Sequence, residues 1–192
     1  MINTPQDAAF NPYAAPTAPV SDTVTAPRSE PPFFATGLLK LAVMSVATFS
    51  LYQIYWSYKN WKCVSRLSGQ DLNAPVRAFF FPVTSYWLFR CIEEGGRKFG
   101  ADISTNAGFL AVALFLLSAI GRLPDPYWLA GLFSFVPFLG VQSAVNEINR
   151  RAAPDADPNR RFHWWNVLAL VVGGISLGAV VAGFFMDGGA HM

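Results

Sequence analysis

The sequence predicts an all-α integral membrane protein: four transmembrane helices, one short interfacial or re-entrant aromatic helix, and a disordered N-terminal tail. Three observations carry this reading. Only 14% of the 192 residues are charged and 53% are hydrophobic, whereas a soluble globular chain carries about 25% charge. Five stretches hold no Asp, Glu, Lys or Arg: Leu41–Tyr58, Ala78–Phe89, Ile103–Gly121, Pro126–Asn146 and Phe162–Met186, of 18, 12, 19, 21 and 25 residues. These runs are apolar on every face instead of alternating at period two, which excludes a β-barrel. A hydrocarbon core about 30 Å thick needs about 20 helical residues, because lipid offers an unpaired amide no partner. The 12-residue run is too short for that. An ordinary soluble enzyme, a nucleic-acid-binding domain and a disordered protein are all excluded by the same arithmetic.

Residues 1–32 are rich in Pro, Ala, Thr and Ser and bury too little apolar surface to offset their ordering entropy. They are expected to form a flexible tail. They contain no basic stretch followed by an apolar one, so the first span is expected to act as its own insertion signal. Within the tail, Asn11-Pro12-Tyr13-Ala14-Ala15-Pro16 reads as part of a solvated leader, with a linear peptide docked by a protein partner as the alternative.

The membrane domain is expected over 33–186, with 187–192 as a short C-terminal tail. Its first span covers about 34–58, with Lys40 snorkelling back to the headgroups. Tyr52, Tyr55, Trp56, Tyr58 and Trp61 form an aromatic belt at the far end. Lys59, Lys62 and Arg66 follow on one helical face. Together with Tyr55, Trp56 and Trp61 they make a candidate interface for anionic lipid headgroups. An interfacial helix over about 75–92 is capped by Asn73, with Pro75 in its first turn and Pro82 interrupting its middle. Glu93 to Asp102 reads as a charged connector. Spans two and three, about 104–121 and 126–147, form a tight hairpin, with Asp125 and Pro126 starting the second arm and Pro137 kinking it. Its end turns polar at Gln142, Asn146 and Asn149, with Glu147 at pairing distance from Arg150. Span four covers about 163–186. There Gly174, Gly178 and Gly183 offer a small-residue face for helix packing within the chain or in an oligomer.

Basic residues near spans favour the cytoplasm. With four spans, Lys59, Lys62, Arg66, Arg77, Arg90, Arg97, Lys98, Arg150, Arg151, Arg160 and Arg161 share one side, against Arg28 and Arg122 on the other. This arrangement predicts both termini outside.

The run Leu51–Lys62, then Arg77–Pro82, and then Asn159–Asn166 together resemble a family of uncharacterised bacterial integral membrane proteins. That family carries a domain of unknown function and a first-span ending of the form LYxxYWxYKNW. The resemblance covers roughly residues 33 to 185. It implies a location in the bacterial cytoplasmic membrane and a compact multi-pass unit, and it brings no catalytic residues with it.

Catalytic signatures are missing from the sequence. His163 and His191 are the only histidines, Cys63 and Cys91 the only cysteines, and neither pair has metal-ligand or nucleophile–base spacing. No cofactor or metal is called for, and Cys63 and Cys91 are expected to be free thiols. Gln142, Asn146, Glu147 and Asn166 form a candidate polar cluster near the cytoplasmic boundary. The leading expectation is a non-catalytic membrane protein that interacts with lipid and with a protein partner through its tail. The alternatives are a small oligomeric transporter or channel subunit, and a lipid-modifying enzyme using Glu93 and Glu94 near the Lys59–Arg66 stripe.

Overall fold

The computed structural model describes residues 30–125 and 127–189. The described residues are helical, without strands: α1 (Leu38–Ala47), α2 (Leu51–Ser68), α3 (Ala74–Phe79), α4 (Phe81–Lys98), α5 (Ala107–Ile120), α6 (Val136–Ala152) and α7 (Trp164–Gly189). A 3₁₀ run, Tyr127–Phe135, leads directly into α6. Two helices among them are long and apolar enough to cross a membrane, Tyr127–Ala152 and Trp164–Gly183, while α1 and α5 are shorter apolar helices. Four spanning helices of full length are therefore not present among the described residues.

The main departure from expectation is the first span. Residues 34–58 do not form one helix. Phe49 and Ser50 both adopt positive φ, 48° and 72°, a left-handed conformation that costs a non-glycine residue on the order of 1 kcal/mol or more. The turn is held by local polar groups. The Thr48 hydroxyl donates to the Met44 carbonyl (2.7 Å) and accepts from the Tyr52 amide (2.9 Å), so one side chain closes α1 and opens α2. Ser50 Oγ meets Ser134 Oγ at 3.3 Å.

Contacts along the chain give the direction of α2. Tyr52 reaches Thr36 (3.4 Å), Asn60 Oδ1 accepts from the Phe34 amide (3.3 Å), and Arg66 donates to the Pro31 carbonyl (2.9 Å). α2 thus runs back past the segment that precedes α1. Residues 30–68 form an out-and-back hairpin with both ends on one side of the bundle.

The expected interfacial helix over 75–92 is two helices. Asn73 caps α3 as the sequence implies, accepting from the Val76 amide (3.3 Å), with proline in the first turn. The break falls at Phe80, and Pro82 lies in the first turn of α4. α4 then continues through Glu93 to Lys98, residues expected to be a connector.

α4 and α5 form a second hairpin, and α5 and the 3₁₀ run a third. A Cβ at Gly131 would lie 2.4 Å from the Gly121 Cα, so glycine is what lets the latter two backbones touch. The predicted kink at Pro137 is realised as a change of helix type, since α6 starts at Val136 with Pro137 in its first turn. Asp125 does not cap a helix there. It accepts the Trp128 indole N–H at 2.5 Å.

The core centres on Phe138, fully buried, with the rings of Trp56, Phe81 and Phe89 at 5.0, 6.0 and 5.9 Å. Each edge-on pair adds about 0.5–1.5 kcal/mol to the area term. α7 stands apart from this core. Only 6% of its apolar window is buried, and it approaches the bundle where Gly173 meets Ala47 of α1.

Candidate functional site

The residues leading into α1 are extended, and their backbone polar groups have no helix or sheet to satisfy them. Buried groups of that kind need partners. Here side-chain amides supply nearly all of them. Asn149 Oδ1 accepts from the Phe33 amide (3.1 Å), and its Nδ2 donates to the Phe33 carbonyl (2.9 Å). Asn60 takes the Phe34 amide, while Gln142 donates to the Phe34 carbonyl (3.4 Å). Asn159 donates to the Ala35 carbonyl (3.0 Å), and Asn146 to that of Thr36 (3.1 Å). Five amides from α2, α6 and the α6–α7 loop thus grip four consecutive residues.

Packing reinforces the grip. Phe33 is 1% exposed, and its ring tip would lie 2.6 Å from a Cβ at Gly95. Glycine on α4 therefore makes the socket for that ring.

Of the expected polar cluster, Gln142 and Asn146 do come together. Gln142 Nε2 donates to Asn146 Oδ1 (2.7 Å), and its Oε1 accepts the Trp56 indole N–H (2.5 Å). Glu147 instead turns outward to Arg150 and Arg151, with contacts of 2.5–3.0 Å, which realises the expected Arg150 pairing. Asn166 lies against Lys40, 3.2 Å from its Nζ with the amide oriented to accept. Asn60 and Asn159 complete the clamp and were not among the expected site residues.

The expected lipid-facing stripe is divided. Trp56 and Trp61 are 0% and 1% exposed, so they are core residues and not part of a headgroup belt. α3, α4 and α6 cover the faces they occupy; the Arg77 guanidinium lies 4.6 Å from the centre of the Trp61 ring. Arg66 is committed to the Glu30 carboxylate and to the carbonyls of Pro31 and Pro32, and Pro32 is buried. The expected tail thus joins the bundle at its last residues; residues 1–29 lie outside those described. Lys59 and Lys62 remain outward-facing, each over aromatic rings: Lys59 is 5.7 Å from Phe34 and 5.9 Å from Tyr55, and Lys62 is 5.7 Å from Tyr58. Tyr55 is exposed.

Lys40 does not snorkel. It is 4% exposed, and its Nζ donates to Asn159 Oδ1 and the Arg161 carbonyl, both at 2.9 Å.

The carboxylates near the stripe are structural. Glu93 Oε1 accepts from the Thr105 amide (2.8 Å), the Thr105 hydroxyl (2.7 Å) and the Ala107 amide (3.3 Å), so it caps α5 from across the hairpin. Glu94 pairs with Arg90 at 3.3 Å. Glu93→Ala is expected to destabilise the protein by about 2–3 kcal/mol, since three donors lose one charged acceptor. Glu93→Gln, which keeps an oxygen, is expected to cost about half as much. Thermal unfolding in detergent, read by tryptophan fluorescence, checks the order of the two.

Cys63 and Cys91 are free and half-buried. Burial pushes both thiols up, in Cys63 against the pull of Arg66, Lys59 and Lys62. Thiols shifted this way are poor nucleophiles. The small-residue face of α7 meets no neighbour among the described residues: a Cβ at Gly174, Gly178 or Gly183 would find nothing within 4 Å. Gly173 is the glycine that packs.

The arrangement is a clamp whose amides are spent on the chain's own backbone. Compared with protein family models, curated proteins and solved structures, the chain matches none.

Proposed function

We propose that this is a multi-pass, non-catalytic protein of the bacterial cytoplasmic membrane that holds its N-terminal arm at its cation-rich face for a partner. The observation that carries the reading is the clamp at 33–36. It commits the amides of Asn60, Gln142, Asn146 and Asn149, all but Asn146 buried, to fixing where the arm leaves the bundle. Each amide nitrogen and oxygen of Gln142 and Asn146 already has a partner within the chain, which argues against a transported solute there. The lipid setting is supported by α7, whose apolar window is 6% buried, an exposure that water would penalise by about 25 cal/mol per Å² of apolar surface. The likeness of Leu51–Lys62 to the bacterial family fits the same setting.

The hairpin of residues 30–68 supports a different orientation. The expectation of an outside N-terminus depends on 34–58 being one crossing helix. With α2 returning to the starting side, the arm shares its side with Lys59, Lys62, Arg66, Arg97, Lys98, Arg150, Arg151, Arg160 and Arg161, while Arg122 marks the opposite end. The positive-inside rule then puts the arm in the cytoplasm. α5 goes out, the 3₁₀ run with α6 comes back, and α7 goes out. α5 has only 14 residues, but it follows its partner as far as Gly131, so the two arms cross together.

Two measurements test this. The chain is expected to stay with membranes through alkaline carbonate extraction, and release would overturn the membrane reading. A reporter at Ala14 is expected inside and one after Met192 outside; an external signal from Ala14 would sink the hairpin topology.

A further inference from the structure

A cavity of about 450 Å³ lies between the start of α1, the first turns of α2 and the start of α7, walled by Lys40, Tyr52, Tyr55, His163, Trp165 and Asn166 among others. The Lys40 ammonium on its wall is buried, and its acceptors are all neutral: the Asn159 amide oxygen, the Arg161 carbonyl and the Asn166 amide oxygen. Neutral oxygens satisfy its hydrogens, and the one carboxylate that acts on it, Asp157, does so through space without an ion-pair contact, so its charge is only partly balanced, which is costly in a buried setting. Lys59 lines the adjoining cavity, together with Glu30, Lys62 and Arg66, and reaches over the rings of Phe34 and Tyr55, which line this one. Neither lysine forms an ion pair among the described residues. The cavity walls include no carboxylate.

We propose that this cavity takes the phosphate of an anionic membrane phospholipid. Two lysines without an ion-pair contact among the described residues select negative charge. The tyrosine hydroxyls, the His163 ring and the Asn166 amide supply polar groups that can donate to phosphate oxygens. Asn166, the longest of the three Lys40 contacts at 3.2 Å, is the partner an incoming oxygen displaces. Tyr and Trp side chains belong at the headgroup level, where a phosphate would sit. Gly173 meets Ala47 two turns further along α1, so the phosphate is held at the bundle's edge. The inference rests on the membrane reading above, and it moves the lipid contact from the outer stripe of α2 to the joint between α1, α2 and α7.

The test uses the full chain in nanodiscs of phosphatidylcholine containing a minor share of phosphatidylglycerol, with co-purifying lipid read by mass spectrometry. Phosphatidylglycerol is expected to be enriched about thirtyfold, the discrimination two near-surface cations supply. The double variant Lys59→Ala with His163→Ala, the first over the cavity's aromatic rim and the second on its wall, is expected to lose most of that enrichment while eluting as the wild type does. Lys40→Met is expected to lose it as well, and if that chain fails to fold the double variant decides. Unchanged enrichment in the double variant overturns the proposal. Millimolar inorganic phosphate competing fully with the lipid would also overturn it, by assigning the site to a soluble anion. A chain that enters nanodiscs without lipid preference refutes only this site, whereas one that does not enter them refutes the membrane reading itself.

Discussion

Asn149→Leu is expected to destabilise the protein by about 4 kcal/mol, because it orphans two backbone groups at once. Asn149 both accepts from and donates to Phe33, at 3.1 and 2.9 Å, as a neighbouring β-strand would. Leucine keeps the γ-branched outline but is the larger side chain, so the loss is polar with some overpacking and leaves no cavity. Each buried backbone group left without a partner costs about 1–3 kcal/mol, and Phe33 is too deep for water to replace the amide. Asn149→Asp keeps the acceptor but loses the donor and adds a buried charge, so it is expected to be no better. Thermal unfolding in detergent measures the loss. Limited proteolysis supplies the local readout, since cleavage within 30–37 should accelerate more than cleavage in the α6–α7 loop. A variant that melts within about 1 kcal/mol of wild type and keeps the arm protected would show that Phe33 packing against Gly95, and not the amide clamp, holds the segment.

Length and apolarity were legible where one helix satisfied them alone. α7 and the 3₁₀ run with α6 match the expected spans within a few residues, as do the Asn73 cap and the Glu147–Arg150 pair. The first span failed because periodicity cannot see a reversal. Leu41–Tyr58 is uncharged throughout, so a hairpin and a straight helix have the same composition. What distinguishes them is Thr48-Phe49-Ser50, three residues of modest helix propensity whose turn is completed by Ser134, 84 residues on from Ser50. That partner is invisible to any local reading.

The site divides in the same way. The polar face of α6 was visible as Gln142, Asn146 and Asn149 at helical spacing. Its counterpart on α2 was hidden among the aromatics. Gln53, Ser57 and Asn60 sit at i, i+4 and i+7 and are all buried. On a helix otherwise lined by Tyr and Trp, that spacing marks a face turned toward buried polar partners. The tryptophans were misplaced because an interfacial belt and an aromatic core use the same residues. Trp56 belongs to the core because Gln142 gives its indole N–H a buried acceptor, which a sequence can suggest only by pairing two helices already known to touch.

Gly173→Leu is expected to detach α7 from the bundle, and Gly178→Leu to be tolerated. A Cβ at Gly173 would lie 1.7 Å from the Ala47 carbonyl oxygen and 2.6 Å from its carbon. Those are backbone atoms, so no rotamer change relieves the overlap and the helix axis must move. Overpacking of this kind costs about 1–3 kcal/mol or more, and close approach of small residues is the main source of helix packing energy in lipid. At Gly178 the same Cβ meets nothing within 4 Å, and leucine is the better helix former by about 0.8 kcal/mol. Amide exchange in α7 residues 164–172 should therefore rise in the first variant and stay level in the second. Equal damage from both would mean that the Gly174–Gly178–Gly183 face is packed in the membrane against something outside this chain. Cross-linking at dilute and concentrated protein would then separate a second copy, which responds to concentration, from a different partner, which does not.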